Sequence, residues 1–224
     1  VQTCALPISN YLRGLGSFLK KFKNWSKEFK LNEEHYDITL HDAKNYLDNK
    51  TDEEYLNWSQ LLFKSYDRIL KTNGTILYNL SYSSENTDLI WKFVGEIIRN
   101  TNFTTADTIV WKKDTALPNN TTSNKLTRIC EFVFVFVRKS EIDTFVMNKA
   151  VTSQNEKGQN YYENLYNFID AKNNDKTNSL NKATFSTEFV RKLLRMYAQP
   201  NSIIYDSFMG TGTTAEACVM EKMQ

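Results

Sequence analysis

Apolar residues recur along this chain in two ways, at intervals close to a helical turn and in short near-continuous runs. Phe18, Leu19, Phe22, Trp25 and Phe29 fall at helical intervals among lysines, so residues 10–30 are expected to form a short amphipathic helix. Aromatics interleaved with lysines also suit nucleic-acid contact, although a core-facing stripe is the commoner cause of this pattern. Residues 32–48 are polar and aperiodic and read as a loop. Thr51-Asp52-Glu53-Glu54 then has the form of a capping box, with the threonine oxygen on an orphan N–H and Glu54 reaching back. Tyr55, Trp58, Leu61, Leu62, Tyr66, Ile69 and Leu70 line one face of the helix that follows. It is expected to end at Asn73-Gly74, where a left-handed residue is easily placed.

Residues 75–80 read as a buried strand, and residues 88–98 as a second helix turning Leu89, Ile90, Phe93, Val94, Ile97 and Ile98 inward. Residues 106–113 are extended, residues 117–125 are an Asn- and Thr-rich loop, and residues 129–138 are strongly β-forming. Val190, Leu193, Leu194, Met196 and Tyr197 mark a later helix, whose start at Ser186 or Thr187 would be an ordinary cap. Strands alternating with helices predict one α/β domain with a largely parallel sheet. In it, residues 203–206 should form a central strand and residues 131–137 should pair near an edge.

The chemistry concentrates near the end of the chain. Ser202-Ile203-Ile204-Tyr205 is an apolar run that closes on Asp206, passes through Gly210 and Gly212, and enters a helical segment carrying Ala215, Cys218 and Val219. Glycines in such a loop tolerate positive φ and let a ligand reach the N–H groups at the start of the helix. A phosphate-binding loop would need lysine after the last glycine, and Thr213 stands there. Gly210-x-Gly212-x-x-Ala215 formally meets a dinucleotide fingerprint. The acid expected roughly 20 residues further on would fall beyond the last residue.

A third cradle accounts for the whole stretch. Asp206-Ser207-Phe208-Met209-Gly210-Thr211-Gly212-Thr213-Thr214 resembles the Asp-Pro-Phe-x-Gly-Ser-Gly-Thr-Thr motif of the amino-methylating DNA methyltransferases, with Ser207 for proline and Thr211 for serine. That resemblance implies an S-adenosylmethionine loop containing Asp206, Phe208, Gly210, Gly212 and Thr213. Residues 182–189 resemble the family segment that precedes this loop and closes over the methionine end of the cofactor. Phe185 falls on its phenylalanine, while Asn181, Lys182 and Ser186 stand for its His, Pro and second Pro. The helix with Tyr66-Asp67-Arg68-Ile69-Leu70, the strand ending Val110-Trp111-Lys112-Lys113 and the strand Glu131-Phe132-Val133-Phe134-Val135-Phe136 resemble family segments in the expected order.

The implied fold is α/β, a Rossmann-like S-adenosylmethionine-dependent methyltransferase with a mostly parallel sheet and helices on both faces. The order is that of the permuted class, with the cofactor motif C-terminal. Residues 9–139 would be the catalytic-side half and residues 181–224 the cofactor-binding segment. Residues 140–180 would lie in the variable region that reads the DNA target. Their Asn, Gln, Lys and tyrosines (Tyr161, Tyr162, Tyr166) suit base and phosphate contacts and equally describe an exposed linker.

The resemblance also shows what is missing. The family holds the target amine with Asp-Pro-Pro-Tyr or a close variant, and the prolines here are the isolated Pro7, Pro118 and Pro200. Glu33-Glu34-His35-Tyr36 and Ser9-Asn10-Tyr11 lie near the right place without the prolines, so no catalytic residue is assigned. The implied function is transfer of a methyl group from S-adenosylmethionine to the exocyclic amine of adenine (N6) or cytosine (N4) in double-stranded DNA, by a truncated enzyme. The alternatives are a non-catalytic cofactor- or DNA-binding module, and an RNA or small-molecule methyltransferase on the same fold.

Composition narrows this only slightly. At 224 residues the chain suits one α/β domain. A net charge of +2 gives no whole-molecule argument for nucleic acid, and the basic cluster between Arg13 and Lys30 is read as a solvated face. Three cysteines without paired spacing, with His35 and His41 the only histidines, argue against a disulfide framework or a zinc site and for an intracellular compartment. No apolar run reaches the length of a membrane span. A homodimer is a further expectation. Residues 1–8 resemble the translation of a sequencing-adapter oligonucleotide and are read as a cloning or assembly scar, so the natural chain is expected to begin near Ser9 and to be a fragment.

Overall fold

The computed structural model describes residues 2–5, 50–83, 86–175, 185–209 and 212–224. The helix expected at residues 10–30, the loop at 32–48 and both sites considered for the tetrapeptide lie outside these residues. Six strands form one sheet in the order β7-β3-β4-β2-β1-β8. They are β1 (Gln2–Ala5), β2 (Ile76–Leu80), β3 (Phe103–Lys112), β4 (Cys130–Arg138), β7 (Phe168–Asp170) and β8 (Ile204–Tyr205). A separate hairpin pairs β5 (Val151–Gln154) with β6 (Asn160–Tyr162). Three of the five pairings in the main sheet are parallel (β1 with β2, β1 with β8, β3 with β7), and β4 runs against both its neighbours. All the strands except β4 therefore point the same way, and their carboxyl ends share one edge, where α/β sheets place ligands.

Helices cover both faces, as expected. On one face α1 (Asp52–Ile69) and α2 (Leu89–Asn100) cover Ile76, Tyr78, Phe103, Phe134 and Phe136. On the other, α3 (Thr187–Tyr197) and α4 (Thr213–Met220) cover Leu77, Ile109, Trp111, Val133, Val135 and Ile169. The unbroken apolar run Val133 to Val137 is explained by this two-sided burial: successive side chains enter different cores.

The capping box forms as read. Thr51 N–H donates to Glu54 Oε2 at 2.7 Å, and Glu54 N–H to Thr51 Oγ1 at 3.2 Å. The buried residues of α1 are Ser59, Phe63 and Tyr66, followed by Leu70 at its C-cap; of the expected stripe Tyr55 and Leu62 pack against the same core, while Leu61 and Ile69 remain 64% and 44% exposed. Phe63 is the hub of that face, with ring centroids 4.9 Å from Phe136, 5.4 Å from Tyr78 and 5.8 Å from Phe93. Asn73 takes the left-handed conformation after α1 (φ 58°), and a Cβ on Gly74 would meet Leu70 and Lys71 at 2.8 Å. The Arg138 guanidinium caps the end of α1, donating to the carbonyls of Asp67 at 2.8 Å and Leu70 at 2.7 Å and to the Asp67 carboxylate at 2.6 Å.

Two strand placements correct the sequence reading. Residues 131–137 do not lie near an edge: β4 is paired on both sides, with β2 and β3. Residues 203–206 do not form a central strand. Among the described residues β8 pairs with β1 alone, and Ile203 and Tyr205 stay 51% and 43% exposed. An apolar run signals burial on its faces but says nothing about which strand lies beside it, and here only two residues adopt strand geometry.

Candidate cofactor-binding site

The loop after β8 is built by local hydrogen bonds. Phe208 N–H donates to Asp206 Oδ1 at 2.9 Å, an Asx turn that reverses the chain as it leaves the strand. Gly212 N–H then donates to Met209 O at 2.8 Å, and Glu216 N–H to Gly212 O at 3.0 Å as α4 begins. Gly212 is left-handed, with φ 88° and ψ 16°, which a side chain rarely adopts. A Cβ there would meet nothing within 4 Å, so the space beside the first turn of α4 is open.

Asp206 is the buried acid of this turn. Its Oδ2 and the neighbouring Thr214 Oγ1 are both buried and accept or donate no hydrogen bond among the described residues. Burial raises the Asp206 carboxyl above the ordinary carboxylate range. The nearby Thr214 hydroxyl, short of hydrogen-bond geometry, and the Phe208 N–H partly offset this. The Cys218 thiol is raised in turn, by burial and then by the Asp206 charge, which leaves it unreactive.

Two contacts seat the loop on α1. Tyr66 Oη and Ser207 Oγ are 2.5 Å apart, and Phe208 meets Trp58 edge-on with ring centroids 6.0 Å apart. Neither Tyr66 nor Trp58 was read as a site residue. The only signal was their i, i+8 spacing on one side of a helix, which also describes core packing.

Phe185 lies just before α3, buried against Phe189, whose ring stacks on Trp111 at 4.0 Å. The start of α3 is tightly capped. Ser186 Oγ accepts from Phe189 N–H at 3.2 Å, and Asp175 Oδ2 accepts from Thr187 N–H and Oγ1–H at 2.7 and 2.5 Å. At the other end of the helix pair, the Glu221 carboxylate takes Arg191 at 2.6 Å and Arg195 at 2.8 Å. Arg195 and then Arg191 hold its pKa below the ordinary value. Asp206, Phe208, Gly212 and Thr213 thus share one turn. Phe185 lies in the core that α3 and α4 share, with no hydrogen bond or ring contact to the turn among the described residues, and Gly210 lies outside the described residues. Among the described residues no group of three or more His, Cys, Asp or Glu could hold a metal ion.

Comparison with known proteins gives a consistent result. A family model described as DNA methylase, covering N6 and N4 methyltransferases, matches residues 14–224. The Type II methyltransferase M.MjaI of Methanocaldococcus jannaschii is 21% identical over 226 residues, covering 87% of this chain and 72% of the relative. M.BglII of Bacillus subtilis is 22% identical over 188 residues, covering 75% of this chain, and M.HinfI of Haemophilus influenzae is 26% identical over 167 residues, covering 72%. The chain spans about half the length of these last two, 51% and 44%. Among solved structures, PvuII DNA methyltransferase (cytosine-N4-specific) superposes with a TM-score of 0.63 at 16% identity, covering 81% of this chain and 68% of that one. An M1.HpyAVI–SAM complex does so with a TM-score of 0.52 at 24% identity, covering 75% and 73%. These likenesses show the shared fold.

Proposed function

This chain belongs to the DNA methylase family, and from that premise we propose that it binds S-adenosylmethionine at the Asp206–Thr214 turn and serves methyl transfer to an exocyclic amine, adenine N6 or cytosine N4, in double-stranded DNA. The observation that carries the cofactor reading is the buried Asp206 Oδ2, which has beside it the Thr214 hydroxyl but no well-formed hydrogen bond among the described residues, in the same turn as the open space at Gly212. A buried acceptor left unpaired costs about 1–3 kcal/mol, and a ligand that supplies a donor and positive charge relieves that cost. S-adenosylmethionine carries an ammonium and a sulfonium, and when bound it supplies an electrophilic methyl group.

The chain's own residues would then hold and shield the cofactor. Asp206 orients the cationic groups of the ligand, and the left-handed Gly212 lets its carboxylate approach the backbone N–H groups of α4. Phe208 is fixed against Trp58, and Phe185 closes the site from the start of α3. The amine must be desolvated and aligned by fixed acceptors, since misplacement by about 1 Å can cost two orders of magnitude in rate. We assign no residue to that role.

Residues 140–180 remain our proposed target-recognition segment. Support comes from the exposed amide and phenol groups of Gln154, Tyr161 and Tyr162 on the β5–β6 hairpin. A homodimer and an intracellular location are part of the same proposal. No helix among the described residues is long and apolar enough to cross a membrane.

Calorimetry with S-adenosylmethionine on the parent chain and Asp206→Asn tests the reading. Binding by the parent and at least about tenfold weaker binding by the variant are expected, from the loss of a charge-assisted hydrogen bond. Equal affinities would remove Asp206 from the site, and no binding by the parent would reject the cofactor reading.

A further inference from the structure

A second constellation stands on the same edge of the sheet, two strands away from the cofactor turn. Tyr82 follows the carboxyl end of β2. Arg128 and Phe132 flank the amino end of β4, which reaches the same edge because β4 is reversed. Trp91 lies in the first turn of α2. Arg128 Cζ sits 5.5 Å from the Tyr82 ring centroid. Tyr82 stacks on Phe132 at 6.2 Å and 28°, and Trp91 meets Phe132 edge-on at 5.6 Å. The lower end of this ladder is keyed into the core, with Trp91 against the buried Phe134 at 5.9 Å. Trp91 is nonetheless 51% exposed and is the open member of the ladder, while Tyr82, Phe132 and Arg128 are half-buried.

Arg128 is held differently from several other arginines of the fold. Arg138, Arg191 and Arg195 each rest on a carboxylate, whereas Arg128 makes no ion pair among the described residues. Its guanidinium is therefore placed by an aromatic face, with its hydrogen-bonding edge unspent among the described residues. The connection that carries it, from Lys113 to Ile129, also holds Lys125 and presents Leu126 88% exposed. Aromatic faces beside an unpaired cation fit unstacked nucleotides, because every base has a π-face and every linkage a phosphate.

We propose that Arg128, Tyr82, Phe132 and Trp91 form a sequence-tolerant stacking platform for a nucleotide of the DNA strand next to the target base, with Arg128 pairing its phosphate. This rests on the DNA-methylating reading above, and it gives the ladder a reason to be open. Chemistry on an amine requires the target base to leave the stack, and its neighbours then lose a stacking partner. Strand β1 lies between Tyr82's strand and that of the cofactor turn, and β2 and β1 lie between the turn and the strand of Arg128 and Phe132, so the two sites are about 10 to 15 Å apart at the strand spacing of a sheet. That leaves room between them for one extruded base.

The test measures anisotropy of a labelled duplex carrying a short unpaired bubble, in the full chain and in Arg128→Lys and Trp91→Ala. Both positions lie outside the cofactor turn, so S-adenosylmethionine affinity should be unchanged; Arg128→Lys should keep the parent melting temperature, and Trp91→Ala, which loses its packing on Phe132 and Phe134, should lower it by about 2–4 °C with unfolding still cooperative. Bubble binding should weaken roughly 5- to 100-fold, the scale of one lost stacking contact. Arg128→Lys should weaken it although the charge is kept, because lysine cannot stack or pair in a planar fork. Arg128→Gln should reduce the dependence of log affinity on log salt by about one phosphate's worth. Parent-like binding by Arg128→Lys and Trp91→Ala would overturn the platform while leaving the DNA reading intact. Variants that lose self-association and keep DNA binding would reassign the ladder to a protein partner, also overturning it. A parent chain that binds no DNA would overturn both.

Discussion

Tyr66 Oη and Ser207 Oγ meet at 2.5 Å, joining residues 141 positions apart and pinning the cofactor turn to the buried face of α1. Ser207 stands where the resembling motif carries proline. A proline stiffens such a turn through its ring, and here a hydrogen bond to a helix does so instead. Tyr66→Phe and Ser207→Ala should each cost about 1 kcal/mol, and the double variant little more than either alone. Each should lower the melting temperature by about 2–4 °C for a domain of this size and weaken S-adenosylmethionine binding. Additive losses in a thermal-melt cycle would show that the two hydroxyls do not work as a pair.

Asp206 gives a pH dependence with a definite sign. Its folded pKa is raised, chiefly by burial, so the folded chain binds a proton that the unfolded chain has already released. Without ligand, stability should fall as pH rises from the ordinary carboxylate value to the raised one, then level off. Affinity for a cationic cofactor should run the other way and rise over the same window. Asp206→Asn should flatten both curves and stabilise the ligand-free protein. Parallel melts and calorimetry from weakly acid to neutral pH check this, and a parent whose stability rises across that window contradicts it.

Gly212→Val is expected to abolish S-adenosylmethionine binding while unfolding stays cooperative. The open space beside Gly212 means that no described atom lies within 4 Å of an added Cβ. The stability cost is then the backbone strain at φ 88°, about 1–3 kcal/mol. Loss of binding much larger than Gly212→Ala produces would mark the added bulk, rather than the strain, as the cause.

Strand β1 is the only described link between β8 and the rest of the sheet. Removing residues 1–8 should therefore release β8, lower the melting temperature and weaken cofactor binding. Unchanged values would mean that these residues contribute nothing to the sheet, as their resemblance to an adapter translation implies.

Tritium transfer from labelled S-adenosylmethionine to mixed-sequence duplex DNA should stay at background for residues 9–224 and return when a segment bearing Asp-Pro-Pro-Tyr is supplied upstream. Clear transfer without it would show that residues 33–37 form a working variant of the tetrapeptide.

Much of the fold was legible because its signals are local. The capping box at Thr51, the left-handed residue at Asn73 and the strand at Val133–Val137 each depend on neighbours in sequence, although α1 itself stops at Ile69, ahead of the expected Asn73-Gly74. Lateral order was not legible: β4 is paired on both sides and β8 on one, and their apolar runs look alike. In the site, the Asp206 to Thr214 turn was readable as a motif, while its seating on Tyr66 and Trp58 arises only when α1 is laid across the sheet. The Arg128 ladder draws on three separate segments, and no spacing along the chain could have announced it.

The β5–β6 hairpin is fastened at its roots rather than along its length. Asn148 donates from its backbone to Met196 O at 2.7 Å and from its side chain to Arg195 O at 3.0 Å, at the carboxyl end of α3. Asn167 accepts from Val110 N–H at 2.9 Å and donates to Thr108 O at 3.2 Å. Since α3 runs against the strands, the first root lies at the end of the molecule opposite the cofactor turn. Doubling the length of an excursion held in this way costs only about 0.6 kcal/mol in chain entropy. Insertions, deletions and exchanges between Asn148 and Asn167 can therefore accumulate, and a new hairpin can be grafted from a relative, without a compensating change anywhere near Asp206.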